Sequence, residues 1–333
     1  MSLGFKGICS LLGPVQLCCS QEDHPEAKTV IAKDGSQTPR KVLQYSTEQL
    51  VSPGGESASD GLHTPPRYVD QGEVPSPVAM PALAAKAEDL ELVARPEVEV
   101  EGKSLYTGQW RGTVQHGKGM LVRPDGQKYE GNFVNGHAHG KGKFSAPNGN
   151  VYEGEWNKDR AHGFGIYTHA DGSTYEGEWY LDEKSGYGVE NWSDGASYEG
   201  EFMQGCKHGR GNYKSGSGVM YEGEFKMDRM EGDGVYRFAD GRTYTGQWVR
   251  GHMTGKGSMV WPNGASYEGD YKSDQKHGEG TFRAADGRVY KGQWRGGKQD
   301  GEGYTTDVHG TTTHCHWRAG ERVGERTRVE MPA

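Results

Sequence analysis

The chain has 333 residues, 54 glycines, a formal charge of −8 and only 32% hydrophobic residues. That is too little aliphatic material for one large round core, and it suits a thin, elongated structure stabilised unit by unit. Residues 1–103 carry a net −6 and the remainder a net −2, so neither part has the basic excess of a nucleic-acid binder.

Residues 1–20 are small, apolar and cysteine-bearing, and nothing in the chain approaches the run of about 18 apolar residues that a membrane span needs. Ser2 stands where myristoylation requires glycine, which leaves acylation at Cys9, Cys18 or Cys19 as the lipid-anchoring candidate. With Cys206 and Cys315 the cysteines show no even framework, and a reducing cytoplasm is expected. Residues 21–81 are rich in Ser, Pro, Gly and acidic residues and read as a disordered linker. Residues 82–103 hold a candidate capping element, since Leu83, Ala87, Leu90 and Ala94 recur at helical spacing over 82–95 and Pro96 would stop the helix.

From Tyr106 the chain repeats itself every 23 residues. Tyr152-Glu153-Gly154-Glu155-Trp156 returns as Tyr175-Glu176-Gly177-Glu178-Trp179 and as Tyr198-Glu199-Gly200-Glu201-Phe202. Such alternation is a β-strand, with Tyr, Gly and Trp on one face and the carboxylates on the other. A second strand opens at Gly-x-Gly, as in Gly142-Lys143-Phe144, and ends at Asp-Gly or Asn-Gly, as at Asp171-Gly172 and Asn148-Gly149. Those dipeptides are hairpin signals, in which both residues are expected at positive φ. Each repeat is thus a hairpin, and the whole is an all-β, single-layer antiparallel meander over residues 104–320, with a tail at 321–333. The glycine between Tyr and Trp leaves room for neighbouring rings to lie over the backbone.

Tyr-x-Gly-x-Trp/Phe, then Gly-x-Gly, then Asp/Asn-Gly at period 23 resembles the MORN (membrane occupation and recognition nexus) repeat. Nine copies begin at Tyr106, Tyr129, Tyr152, Tyr175, Tyr198, Tyr221, Tyr244, Tyr267 and Tyr290, and a degenerate tenth places Thr313, Cys315 and Trp317 in the slots of Tyr, Gly and Trp. The resemblance implies an elongated, curved sheet serving as a scaffold, as a phosphoinositide- or membrane-associated protein, or as a groove for a partner's helical or extended segment. It also implies end-to-end homodimers. Some members carry a lipid kinase or methyltransferase domain beyond the repeats, and neither is expected in the short stretch after Trp317.

No catalytic residue, metal site or cofactor is expected. The glutamate columns recur in identical context every repeat, unlike a single active site. Histidines one repeat apart, such as His116 and His139, would stand near ~10 Å from each other, too far to share an ion; the tighter His137/His139 and His314-Cys315-His316 groups are the remaining metal candidates. No Gly-x-Gly lengthens into a nucleotide loop. The expected partner groove is lined by Tyr129, Phe133, Tyr152, Trp156, Tyr175, Trp179, Tyr198, Phe202, Tyr221, Phe225, Tyr244 and Trp248, because Tyr and Trp concentrate binding energy in interfaces. Lys118, Lys141, Lys143, Arg210 and Lys214 form a candidate strip for anionic membrane lipid. The leading expectation is a cytoplasmic scaffold that tethers a protein partner to a membrane or the cytoskeleton. Its rivals are a phospholipid-binding adaptor and a regulator of a lipid kinase in trans.

Overall fold

The computed structural model describes residues 91–329, which form one open antiparallel sheet of 21 strands, each paired to the next in chain order. The first is β1 (Leu92–Val100) and the last is β21 (Glu321–Val329). The repeat of Tyr175 shows how the others are built. Its first strand, β8 (Thr174–Tyr180), turns into β9 (Glu183–Asn191) through Leu181-Asp182, both at positive φ (50° and 75°). This is the two-residue turn whose twist matches the flanking strands. Leucine is a poor residue for that conformation, and here the Asp182 carboxylate holds the corner by accepting from the Ala161 amide at 2.8 Å.

At Trp192–Ala196 the chain passes to the next repeat through a longer loop. The Gly195 amide donates to the Trp192 carbonyl (3.0 Å), the Trp192 amide to the Ala196 carbonyl (2.9 Å), and the Asp194 carboxylate accepts from the Ala196 amide (2.9 Å). In these Asp-Gly and Asn-Gly loops only the glycine takes positive φ, 86° at Gly195. The expectation of positive φ at both residues is corrected: the aspartate uses its side chain to close the loop instead. The two-residue turns lie at the other end of each hairpin.

Between Gly177 and Glu178 the register slips, so that Gly177 faces Gly188 while Glu178 faces Ser185. The same bulge recurs in every hairpin from the Tyr106 repeat onward, for example between Gly200 and Glu201 and between Gly292 and Trp294. It releases one carbonyl from the ladder, and the tyrosine hydroxyl takes it up: Tyr175 Oη donates to the Glu178 carbonyl at 2.9 Å. The ring therefore lies down across the Gly177–Gly188 pair. A Cβ at Gly177 would stand 2.7 Å from that hydroxyl and 2.6 Å from Gly188 Cα. The two glycines are required by contact.

With the tyrosines lying flat, each ring meets the Trp, Phe or Tyr of its own strand and that of the following repeat. Tyr175 meets Trp179 at 5.1 Å and Phe202 at 5.0 Å, edge to face in both cases. Nine tyrosines thus alternate with ten partner rings in an unbroken ladder from Trp110 to Trp317. Edge-to-face pairs contribute about 0.5–1.5 kcal/mol each beyond area burial. The hydrophobic core of this one-layer sheet is a line, with every unit leaning on its neighbours.

Both ends differ from expectation. The helix over residues 82–95 is corrected where the structure describes it: Leu92–Arg95 belong to β1, which pairs with β2 (Ser104–Arg111). Pro96 falls in the register break between Arg95 and Val98, on a strand that among the described residues pairs only with β2, where a missing amide costs the ladder nothing. The first repeat is capped by a strand, and the part of the expected helix before residue 91 lies outside the described residues. The tail is likewise a strand as far as Val329. In β20 (Thr312–Arg318) Thr313 replaces the tyrosine, and the vacated space takes the buried Cys315 side chain where every earlier repeat has glycine.

Candidate functional site

The twelve rings expected to line a groove are the core of the sheet. None of them is more than 7% exposed, because each is covered by the rings before and after it. They present no free surface to a partner, and the groove reading of those residues is corrected on that ground. Burial also drives up the phenol pKa along the row, to about 12 at Tyr106 and at Tyr290. Three lysines unremarked in the sequence lie against this ladder. Lys184 sits over Tyr175 and pairs with Glu190, Lys207 sits over Trp192 near Asp228, and the Lys276 ammonium lies within 5.2 Å of four ring centres. Burial lowers the Lys276 pKa.

The opposite face carries the carboxylates, which divide into two kinds. Those directly before the motif glycine, such as Glu153, Glu176 and Glu199, stand exposed. Those directly after the glycine fold over the bulge. Glu178 accepts from the Tyr187 amide (3.1 Å), Glu201 from the Arg210 amide (3.0 Å), and Gln109, Gln247, Asp270 and Gln293 make the same bond in their repeats. An amide oxygen serves as well as a carboxylate, so this column is a structural acceptor. The Asp270 carboxyl is held below the ordinary range, first by its bond to Lys256 at 2.6 Å.

The five basic residues do not converge. Lys118 is on β3 (Val114–Val122) and Lys141 and Lys143 on β5 (His137–Ser145), but Arg210 and Lys214 are on β11 (Cys206–Lys214). β5 and β11 are six strand spacings apart, about 29 Å. Lys143 is also paired with Glu153 at 3.3 Å. Between the two basic groups the same columns hold Phe164 and Ile166 on β7 (Arg160–Thr168), then Tyr187 and Val189 on β9. Phe164 and Tyr187 are about half exposed, at 50% and 51%. Their signal in the sequence was a departure from the repeat, since the matching residues are Lys118, Lys141, Arg210, Asp233, Lys256, Glu279 and Glu302 elsewhere.

The metal candidates separate. His314 and His316 both reach Glu302 (2.6 and 3.0 Å), while Cys315 between them is buried on the ring face. His137 bonds Asp159 in the adjoining turn. Among the described residues no group of three or more His, Cys, Asp or Glu side chains could hold a metal ion. Among them, too, no helix is long and apolar enough to cross a membrane. Cys9, Cys18 and Cys19 lie outside the described residues.

The MORN repeat model matches nine consecutive segments: residues 106–128, 129–151, 152–174, 175–197, 198–220, 221–241, 244–266, 267–287 and 290–312. No curated protein matches the chain in sequence. Among solved structures it is similar to the TCP10 domain of Danio rerio CPAP in complex with a peptide of Danio rerio STIL, at 14% identity, 70% of this chain, 98% of that chain and a TM-score of 0.38. It is also similar to the SAS-4 TCP domain of Drosophila melanogaster in complex with a proline-rich motif of Ana2, at 12% identity, 60% of this chain, 99% of that chain and a TM-score of 0.30.

Proposed function

This chain belongs to the MORN repeat family, and from that premise we propose that it is a non-catalytic scaffold which holds a protein partner on the carboxylate face of its sheet. The observation that carries the reading is the division of labour between the faces. The aromatic ladder satisfies itself, so the opposite face is not needed for the core, and that face bears half-exposed aromatic side chains at Phe164 and Tyr187. Exposed aromatics set in a rigid sheet lose little entropy on binding and make good anchors. Protein is favoured over anionic lipid as the main ligand because the basic residues form two separate groups with acidic and apolar columns between them.

Site-specific photo-crosslinking tests this. A crosslinking residue at Ile166, on the carboxylate face, should capture a discrete protein in cells, and one at the exposed loop residue Ala170 should not. Equal capture from both positions, or capture from neither, would overturn the scaffold reading.

A further inference from the structure

The repeat provides its own internal control for the exposed face, because every hairpin meets the same structural demands. Only the repeats of Tyr152 and Tyr175 place apolar residues at both exposed columns of the second strand, Phe164 with Ile166 and Tyr187 with Val189. The register then lays out one line across five strands, from β6 (Val151–Asn157) to β10 (Ser197–Met203). Glu153 faces Ile166, Ile166 faces Glu176, Glu176 faces Val189, and Val189 faces Glu199. Acid and apolar stations alternate at each strand spacing, about 4.8 Å. Beside this line Phe164 and Tyr187 broaden the two apolar stations, and the Tyr187 hydroxyl donates to Glu199 at 2.8 Å.

We propose that this line is the docking site for a basic amphipathic helix of a partner protein, lying across the strands. The inference rests on the scaffold reading above and names the partner's chemistry. Three glutamates one repeat apart, all exposed although Glu153 also pairs with Lys143 and Glu199 accepts from Tyr187, ask for Lys or Arg at the matching points, and the two stations between them ask for apolar side chains. A helix supplies that pattern. Its turns rise about 5.4 Å, so residues i, i+7 and i+14 fall near successive glutamates while i+3 or i+4 and i+11 fall near the apolar stations. An extended segment does not, because its same-face side chains repeat every ~6.7 Å and leave register after one strand. The acidic stations exclude an acidic helix, and so give specificity as well as attraction.

The test uses the full chain and a synthetic helical peptide of about 18 residues, with Lys at i, i+7 and i+14 and Leu at the intervening stations. A control peptide carries Glu in place of each Lys. Fluorescence anisotropy should show the basic peptide binding and the acidic one not. Phe164→Thr combined with Tyr187→Thr, and separately Glu176→Lys, should each weaken binding at least about tenfold, with thermal unfolding unchanged. Absence of binding to the basic peptide, equal binding of both peptides, or indifference to Glu176→Lys would each overturn the proposal. Should Ile166 crosslink a discrete protein while the basic peptide fails, the helix inference falls and the scaffold reading stands. Should Ile166 and Ala170 both fail to crosslink, the scaffold reading itself falls.

Discussion

On the ring face, nine consecutive repeats place tyrosine at one point, glycine two residues on, and an aromatic side chain two beyond that. On the opposite face, the column that holds Ile166 reads Met120, Lys143, Ile166, Val189, Asn212, Val235, Ser258, Thr281 and Tyr304. The first strand of each hairpin supplies the ring column and the second strand supplies the other. The difference lies in what each column must satisfy. A ring in the ladder touches rings of its own repeat and of one adjoining repeat, so a change at one ring strains two units. A side chain on the other face meets water and its cross-strand neighbours, which tolerate many types. Regularity across the repeats therefore marks the core, and departures from regularity on the exposed face mark candidates for recognition.

The largest expected effect breaks the ring face as a whole. Burial raises the phenol pKa of all nine motif tyrosines and of Tyr271 beside them. A group raised in the folded state contributes stability that is complete below its unfolded pKa of about 10 and is lost as pH climbs through the folded value. Denaturant melts at successive pH should hold steady from neutrality to about pH 10 and then fall steeply. Tyr187, on the other face, is raised first by its bond to Glu199 and only then by burial, so Tyr187→Phe should leave that alkaline transition where it was. A transition that moved with Tyr187→Phe would blur the contrast between the faces.

A single rung comes next. Gly177→Val would drive side-chain atoms into the Tyr175 ring and the Gly188 backbone, neither of which can retreat without opening the bulge. The expected loss is about 3 kcal/mol or more of local stability. Hydrogen exchange should locate it in β8 and β9, with protection retained in repeats two or more units away.

The strands, their alternation and the period are legible from Tyr, Gly and Trp spacing alone. Whether the ring face is covered is not, because periodicity says which residues share a face and is silent on how the rings lie. In a conventional sheet a second layer would cover them; here the tyrosines recline because their hydroxyls seek the carbonyls released at the bulge, and no motif states that bond. The strand at Leu92–Val100 was hidden for a different reason. Short apolar runs with Leu and Ala fit helix and strand alike, and Pro96 reads as a helix stop unless the strand is known to lie at an edge. The docking line needed register, which carries Ile166, Val189 and three glutamates from five strands into one row.

The smallest effect sharpens the comparison most, because it separates structure from charge on the exposed face itself. Glu178 and Glu176 share that face on one strand, yet Glu178 is bound to the Tyr187 amide across the bulge while Glu176 heads a docking station. Were Glu178 present for its charge, Glu178→Gln and Glu178→Ala would act alike. At this bulge Glu178 serves as an acceptor, and the repeats of Gln109, Gln247 and Gln293 use an amide oxygen in the same place. Glu178→Gln should therefore leave stability unchanged within about 0.5 kcal/mol, while Glu178→Ala should lose about 1 kcal/mol by stranding the Tyr187 amide. Denaturant midpoints of the two variants measure the difference. Equal losses in both would return Glu178 to the class of Glu176, and the exposed face would then have one kind of carboxylate instead of two.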